Sequence, residues 1–334
     1  MDSNPLSEFA LIERFFEHRV QRLPTQTLGI GDDCALIAPL ADQALAISTD
    51  MLIEGRHFFA DVEARALGHK ALAVNLSDLA AMGAKPRAFT LALALPNVNE
   101  NWLAAFSDGL FACAERFECA LIGGDTTRGP RTICITVFGD VPPHLSLRRG
   151  AAQAGDDVWV SGTLGDARAG LGVSRNEWQA ANAADAATFR HALEYPEPRV
   201  ALGLALRGVA HAALDLSDGL AGDLPHILRR SQVSAFIDIE AIPRSSALRR
   251  LPLETQHCCA LTGGDDYELC FTAPIDARDA ITQIGRQNGL LLSRIGTISP
   301  LNASAPAIIW RDAAGIPLPL TLQGFDHFHA PSSE

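Results

Sequence analysis

Six short segments concentrate the side chains able to do chemistry: GIGDDCA (29–35), ISTD (47–50), NLSDLAAMG (75–83), GGDTTRG (123–129), DLSDG (215–219) and GGDDYEL (263–269). Each sets Asp among small or hydroxyl residues. Each is expected to place a carboxylate on or beside a bend, with glycines permitting close approach of a ligand. Asp supplies hard oxygens on a short arm, and Ser, Thr and backbone carbonyls add neutral ones. Such donors suit Mg²⁺, which keeps several waters and shares a substrate's phosphates. Singly, GDD or SDG reads as a turn or an N-cap, and Asp78 as a solvent-facing helix residue. Six such segments, each following or interrupting an apolar stretch, point instead to a shared metal–phosphate site.

Other chemistries fail their patterns. There is no GxxxxGK[ST], and Lys70 and Lys85 are the only lysines, so no P-loop lysine is available. Gly29-Ile30-Gly31 opens like a dinucleotide fingerprint, but Cys34 holds the third glycine position, and Asp32 and Asp33 would repel a pyrophosphate unless a cation intervened. HExxH, GxSxG and the protein-kinase signatures are absent. The formal charge is −12, and 24 of the 39 acids are Asp. A chain this acidic is a poor nucleic-acid binder; any phosphorylated ligand must be neutralised locally.

The elements that would position these segments follow from periodicity. Residues 6–20, 64–82 and 99–117 read as helices, the last entered through Asn99. Residues 44–53, 88–95 and 131–139 read as strands. The segment VPPHLSLRRGAAQAGDD (141–157) is the expected domain boundary, with prolines, glycines and little apolar content. Beyond it, 157–162 reads as a strand leading to a Gly-rich loop, Gly162-Thr-Leu-Gly165. That loop suits either a phosphate or a tight strand–helix connection. Helices near 198–208, 219–230 and 277–288 then alternate with strands near 233–239, 268–273 and 291–298. The fold class is therefore α/β or α+β in two halves. A loose echo (Asn75-Leu-Ser-Asp against Asp215-Leu-Ser-Asp, Gly123-Gly-Asp against Gly263-Gly-Asp) leaves open whether the halves are related. Arg148-Arg149 reads as a solvated pair or as an anion handle.

In this order, the segments GIGDDCA, ISTDMLIEGRHF, KALAVNLSDLAAMGAKP, LIGGDTTRG, LDLSDG, GGDDYEL and the closing GFDHF resemble the thiamine-monophosphate kinases over about residues 8–329. The resemblance implies the two-domain fold of aminoimidazole ribonucleotide synthetase. An N-terminal domain (1–148) would bind ATP and Mg²⁺ and pair through its β-sheet into a homodimer, and a C-terminal α/β domain (149–334) would close the active site. It implies ATP-dependent phosphorylation of thiamine monophosphate to thiamine diphosphate, the final step of that biosynthesis, by direct in-line transfer assisted by several Mg²⁺ ions. Position by position, it makes Asp33, Ser48, Thr49, Asp50, Asp78, Asp125, Asp215 and Asp218 the metal ligands, with Asp32 behind them. It makes Gly124, Asp125, Arg149 and Ser217 the ATP contacts, and His57, Asp265 and Phe325 the contacts to thiamine monophosphate. The family commonly has Glu at the place of Asp265 and Tyr or Trp at that of Phe325, which bears on substrate affinity rather than on the reaction.

No general base is expected, because the accepting phosphate is already largely ionised near pH 7. Selenophosphate synthetases, hydrogenase maturation relatives and aminoimidazole ribonucleotide synthetases are the nearest rivals, each departing at a Cys, Lys or motif absent here. A sensor that binds nucleotide without turnover is the rival of another class. Seven cysteines without CxxC suggest buried free thiols in a reducing cytoplasm. With no signal peptide and no apolar stretch near about 18 residues, the expectation is a cytoplasmic chain with no membrane partner.

Overall fold

The run ALAISTDMLI alternates branched or long apolar residues with smaller ones, and it forms a ten-residue strand. The computed structural model describes residues 8–20, 23–25, 27–30, 34–301, 305–320 and 322. These fall into two units, one reaching Leu79 and resuming over Ala84–His144, the other comprising Ala80–Gly83 and the chain from Leu145 on.

The first unit runs α1 (Glu8–Phe15), β1 (Thr27–Leu28), β2 (Leu36–Ile37), β3 (Ala44–Ile53), α2 (Ala64–Ala81), β4 (Lys85–Leu95), α3 (Glu100–Arg116), β5 (Ala120–Arg128) and β6 (Thr132–Val141). Its main sheet has the order β3-β6-β4-β5. Only β4 and β5 run parallel, as they must with α3 as the crossover between them. Asn99 caps α3 by accepting a hydrogen bond from the Trp102 amide at 3.1 Å. Leu67, Leu72, Leu76 and Leu79 of α2 are buried with Phe89, Leu91 and Leu93 of β4 and Ile133, Ile135 and Val137 of β6. On β3 the alternation leaves Leu45, Ile47, Met51 and Ile53 exposed.

The second unit runs β7 (Asp157–Ser161), α4 (Asp166–Ser174), α5 (Ala183–Glu194), α6 (Val200–Ala205), β8 (Ala212–Asp215), α7 (Leu220–Ser231), β9 (Val233–Asp238), α8 (Leu253–His257), β10 (Leu269–Ala273), α9 (Arg278–Gln287), β11 (Leu292–Pro300) and β12 (Ile308–Arg311). Its six-stranded sheet has the order β12-β9-β11-β7-β10-β8, parallel only between β9 and β12. Leu220, Leu224, Ile227 and Leu228 form the apolar stripe of α7. They share a core with Val158, Val160, Leu214, Ile237 and Ile295.

Three readings change. ISTD, NLSD and GGDTTR do not sit at bends. They lie inside β3, α2 and β5. Pairing along the whole of β4 makes a strand of a Gly- and Asp-rich run that local preference would leave as a loop. The internal echo is not a structural repeat either. NLSD is helical where DLSD leaves a strand for a loop, and GGD is a strand at 123–125 but a loop at 263–265. All seven cysteines are free, but Cys34 and Cys258 are exposed rather than buried. Among the described residues, no helix is long and apolar enough to cross a membrane.

Candidate functional site

In the first unit the alternation of β3 turns Ser48 and Asp50 toward α2. Ser48 Oγ donates to Asp78 Oδ2 at 2.5 Å. One turn earlier, Asn75 Oδ1 accepts from the Asp50 amide at 3.0 Å, while Asn75 Nδ2 donates to the Ala71 carbonyl at 3.0 Å. Asn75 is thus held at both ends of its amide and docks β3 on α2. The intervening Thr49 faces the other way: its hydroxyl pairs with that of Thr136 at 2.8 Å. His57 Nδ1 accepts from the Ile53 amide at 3.0 Å, so the proton of the neutral ring lies on Nε2.

Gly124 and Asp125 lie on β5, three strands away from β3, so the structure does not join them to the Ser48–Asp78 pair. A Cβ at Gly124 would overlap the Leu91 carbonyl oxygen, which excludes any other residue there. Asp125 is exposed, in register with Ala92. The Cys134 thiol on β6 is pushed up by burial and then by the Asp50 carboxylate, which sets negative charge at this end of the sheet. Asp32, Asp33 and Phe325 lie outside the described residues.

In the second unit Asp215 ends β8, and the loop Leu216–Gly219 leads into α7. Neither Ser217 nor Asp218 has a helical partner for its amide. Both donate to Asp223 Oδ2, at 3.0 and 2.9 Å. Burial pushes the Asp223 carboxyl up to about 7, against the pull of these two amides. The second motif loop is clipped to the first: Asp265 N donates to Ser217 O at 2.9 Å, and Tyr267 N to Leu216 O at 2.8 Å. Asp265 and Tyr267 both take positive φ, 68° and 49°, a conformation non-glycine residues keep only when their surroundings enforce it.

Two more carboxylates enforce it. Both oxygens of Asp266 accept from the Gly165 amide, at 2.9 and 3.0 Å, and burial holds that group well above the usual carboxylate range. Buried Glu268 accepts from Ser161 Oγ at 2.5 Å and from both Nε and Nη2 of Arg199. The Gly-rich loop is a tight connection here, because Gly162 N donates to Leu291 O, Leu164 N to Pro243 O and Gly165 N to Asp266. Arg149 is exposed, and its carbonyl accepts from Ser231 Oγ at 3.0 Å.

Asn75, Asp266 and Glu268 stood inside motifs without an assigned role. Asp223 carried a signal that could have found it, an acid in the first turn of a helix following a Ser-Asp-Gly turn. Arg199 and Ser231 carried none; their partners are distant in sequence. No three His, Cys, Asp or Glu side chains converge among the described residues. The donors are nonetheless right for Mg²⁺: a hydroxyl and two carboxylates around β3 and α2 suit an ion that takes one or two carboxylates and completes its shell with water and phosphate.

Comparison with known proteins adds the family. Residues 31–141 match the family described as AIR synthase related protein, N-terminal domain, and residues 153–305 match its C-terminal domain. The thiamine-monophosphate kinase of Salmonella typhimurium (strain LT2) is 46% identical over 326 residues, 97% of this chain and 99% of the relative. The crystal structure of thiamine-monophosphate kinase from Stenotrophomonas maltophilia K279a is 48% identical and superposes with a TM-score of 0.82, covering 91% of this chain and 96% of the other. The structure of AaThiL complexed with AMPPCP and TMP is 27% identical with a TM-score of 0.74, over 98% and 100% of the two chains.

Proposed function

The chain belongs to the AIR synthase related family and, within it, to the thiamine-monophosphate kinases, and we infer that it transfers the γ-phosphoryl group of ATP to thiamine monophosphate. The products are ADP and thiamine diphosphate. The observation that carries this reading is the Ser48–Asp78 contact beside Asp50, which brings two separate motifs together as hard-oxygen donors.

The accepting phosphate needs no general base, so what the residues must do is hold two polyanions in line. Mg²⁺, when bound, would supply charge that screens their mutual repulsion. We assign several such ions, to Asp33, Ser48, Asp50, Asp78 and Asp125 in the first unit and, separately, to Asp215 and Asp218 in the second. Thr49 can join them only through its main chain, because its hydroxyl is turned to Thr136. Gly124, Asp125, Arg149 and Ser217 would contact ATP, Gly124 by leaving its backbone uncovered. His57, through its Nε2 proton, Asp265 and Phe325 would contact thiamine monophosphate.

We also propose that two copies pair through the open face of the first unit's sheet. Ile47 is 59% and Met51 51% exposed there, beside Leu45 and Ile53, a row of apolar side chains that an isologous dimer would cover. Free thiols fit a cytoplasmic setting.

The test is coupled detection of ADP release with ATP and Mg²⁺, with and without thiamine monophosphate, beside Asp125→Asn. Turnover should require thiamine monophosphate and fall by about 10³-fold in the variant, the scale of losing one charge-stabilising group. ADP release indifferent to thiamine monophosphate would overturn the reading.

A further inference from the structure

In the second unit the two residues assigned to ATP, Ser217 and Arg149, are far apart in sequence, and neither lies within a strand or an α-helix. Both are nevertheless tied to the same helix. At its N-terminal end Asp223 Oδ2 takes the amides of Ser217 and Asp218, at 3.0 and 2.9 Å. At its C-terminal end Ser231 Oγ donates to the Arg149 carbonyl at 3.0 Å and accepts from the Ala152 amide at 3.1 Å, so it pins the turn on both sides of Gly150. Asp223 and Ser231 stand eight helical steps apart on α7, a rod of about 12 Å. Leu220, Leu224, Ile227 and Leu228 seat that rod in the core.

Asp223 is only 6% exposed and its carboxylate is directed at backbone amides. It is placed to shape the loop rather than to meet a ligand.

We propose that α7 is a spacer that fixes the separation of the two nucleotide contacts, with Asp223 and Ser231 as the positioning residues at its ends. This rests on the assignment of Ser217 and Arg149 to ATP, and it adds the residues that set how tightly the nucleotide is held. Loosening either end lets one contact drift while the other stays. Nucleotide affinity should therefore fall at either end; at the Ser231 end, which holds only the Arg149 turn, the affinity for thiamine monophosphate and the rate at saturation should stay near their starting values.

The experiment uses the full chain and its Asp223→Ala, Asp223→Asn and Ser231→Ala variants. The readouts are calorimetric titration with AMPPCP and Mg²⁺, steady-state kinetics in each substrate, and the Tm. Asp223→Ala leaves two amides unpaired and should weaken AMPPCP binding and raise KM for ATP about tenfold, the effect of a buried hydrogen-bonding defect. Asp223→Asn keeps an acceptor oxygen for the same amides and should restore both values to within about threefold. Ser231→Ala, at a half-buried site that tolerates truncation, should weaken nucleotide binding about threefold to fivefold with little change in Tm. In the double Ala variant the losses should not multiply, since both act on one separation.

Unchanged AMPPCP affinity in Ser231→Ala and in folded Asp223→Ala, with only the Tm lowered, would overturn the proposal. So would a rise in KM for thiamine monophosphate equal to that for ATP in Ser231→Ala. If the parent chain binds AMPPCP but does not turn over thiamine monophosphate, the kinase reading falls. The AMPPCP titrations of the variants still decide the role of α7.

Discussion

The same three letters, Leu-Ser-Asp, are used in two opposite ways. At 76–78 they lie toward the C-terminal end of α2, where the helix ladder satisfies the backbone amides and only side chains are left to act: Asp78 receives Ser48, and Asn75 receives Asp50. At 216–218 they leave β8 for a loop, the amides have no ladder, and a buried carboxylate, Asp223, supplies the acceptor. The residue that follows decides between them. Leu79 is buried and continues the helix. Gly219 has φ 91°, and a Cβ there would stand 2.7 Å from the Gly263 carbonyl oxygen. A motif names donors, and its neighbour determines whether side chains or backbone present them.

Substitution at that neighbouring position separates the two regions most sharply. Leu79→Ala should cost about 3 kcal/mol of stability in urea unfolding, the usual price of emptying a buried leucine site, with AMPPCP affinity of the folded protein unchanged. Gly219→Ala should cost about 2 kcal/mol through backbone strain and, unlike Leu79→Ala, should also weaken AMPPCP binding because it displaces the Ser217 loop. If both variants changed stability alone, the contrast would collapse.

A smaller effect tests the side-chain mode. Asn75→Ala strips the Asp50 amide of its acceptor and should cost about 1.5 kcal/mol, read by the same unfolding curve. Asn75→Asp, which keeps an acceptor oxygen, should recover part of it.

The smallest expected effect is a slope in pH. Burial raises the Asp166 carboxyl above 3.8, against hydrogen bonds from Ser245 and Thr163. The folded chain therefore keeps this proton where the unfolded chain has already lost it. Stability should fall as pH rises from about the ordinary carboxylate value through the raised one. Asp166→Asn should flatten that part of the stability profile, and an unchanged slope would show that the group titrates normally.

Much of the architecture was legible because apolar periodicity is a local property. The strand at Ala44–Ile53 and the helices at Ala64–Ala81 and Glu100–Arg116 lie within a residue or two of where their periodicity places them. β5 was not, because its central Gly-Gly-Asp has no strand preference of its own and is shaped by β4. For the site, the motif letters pointed to oxygen donors, but not to the sides on which they project. Thr49 illustrates this: flanked by Ser48 and Asp50, it faces away from both. The residues that hold the loops were invisible for another reason. Arg199 and Glu268 are 69 positions apart, and nothing local to either announces the other.

The clips on the GGDDYEL loop carry a consequence for the order of assembly. Ser161 and Glu268 are 107 residues apart, and Gly165 and Asp266 are 101 apart. Closing chain segments of that length is entropically costly until the intervening strands are already in place. The loop that presents Asp265 thus acquires its left-handed shape only when the sheet beneath it is finished, and a partly folded chain would lack it. Competence to act is in this sense a late-forming property, a checkpoint on the completeness of the second unit.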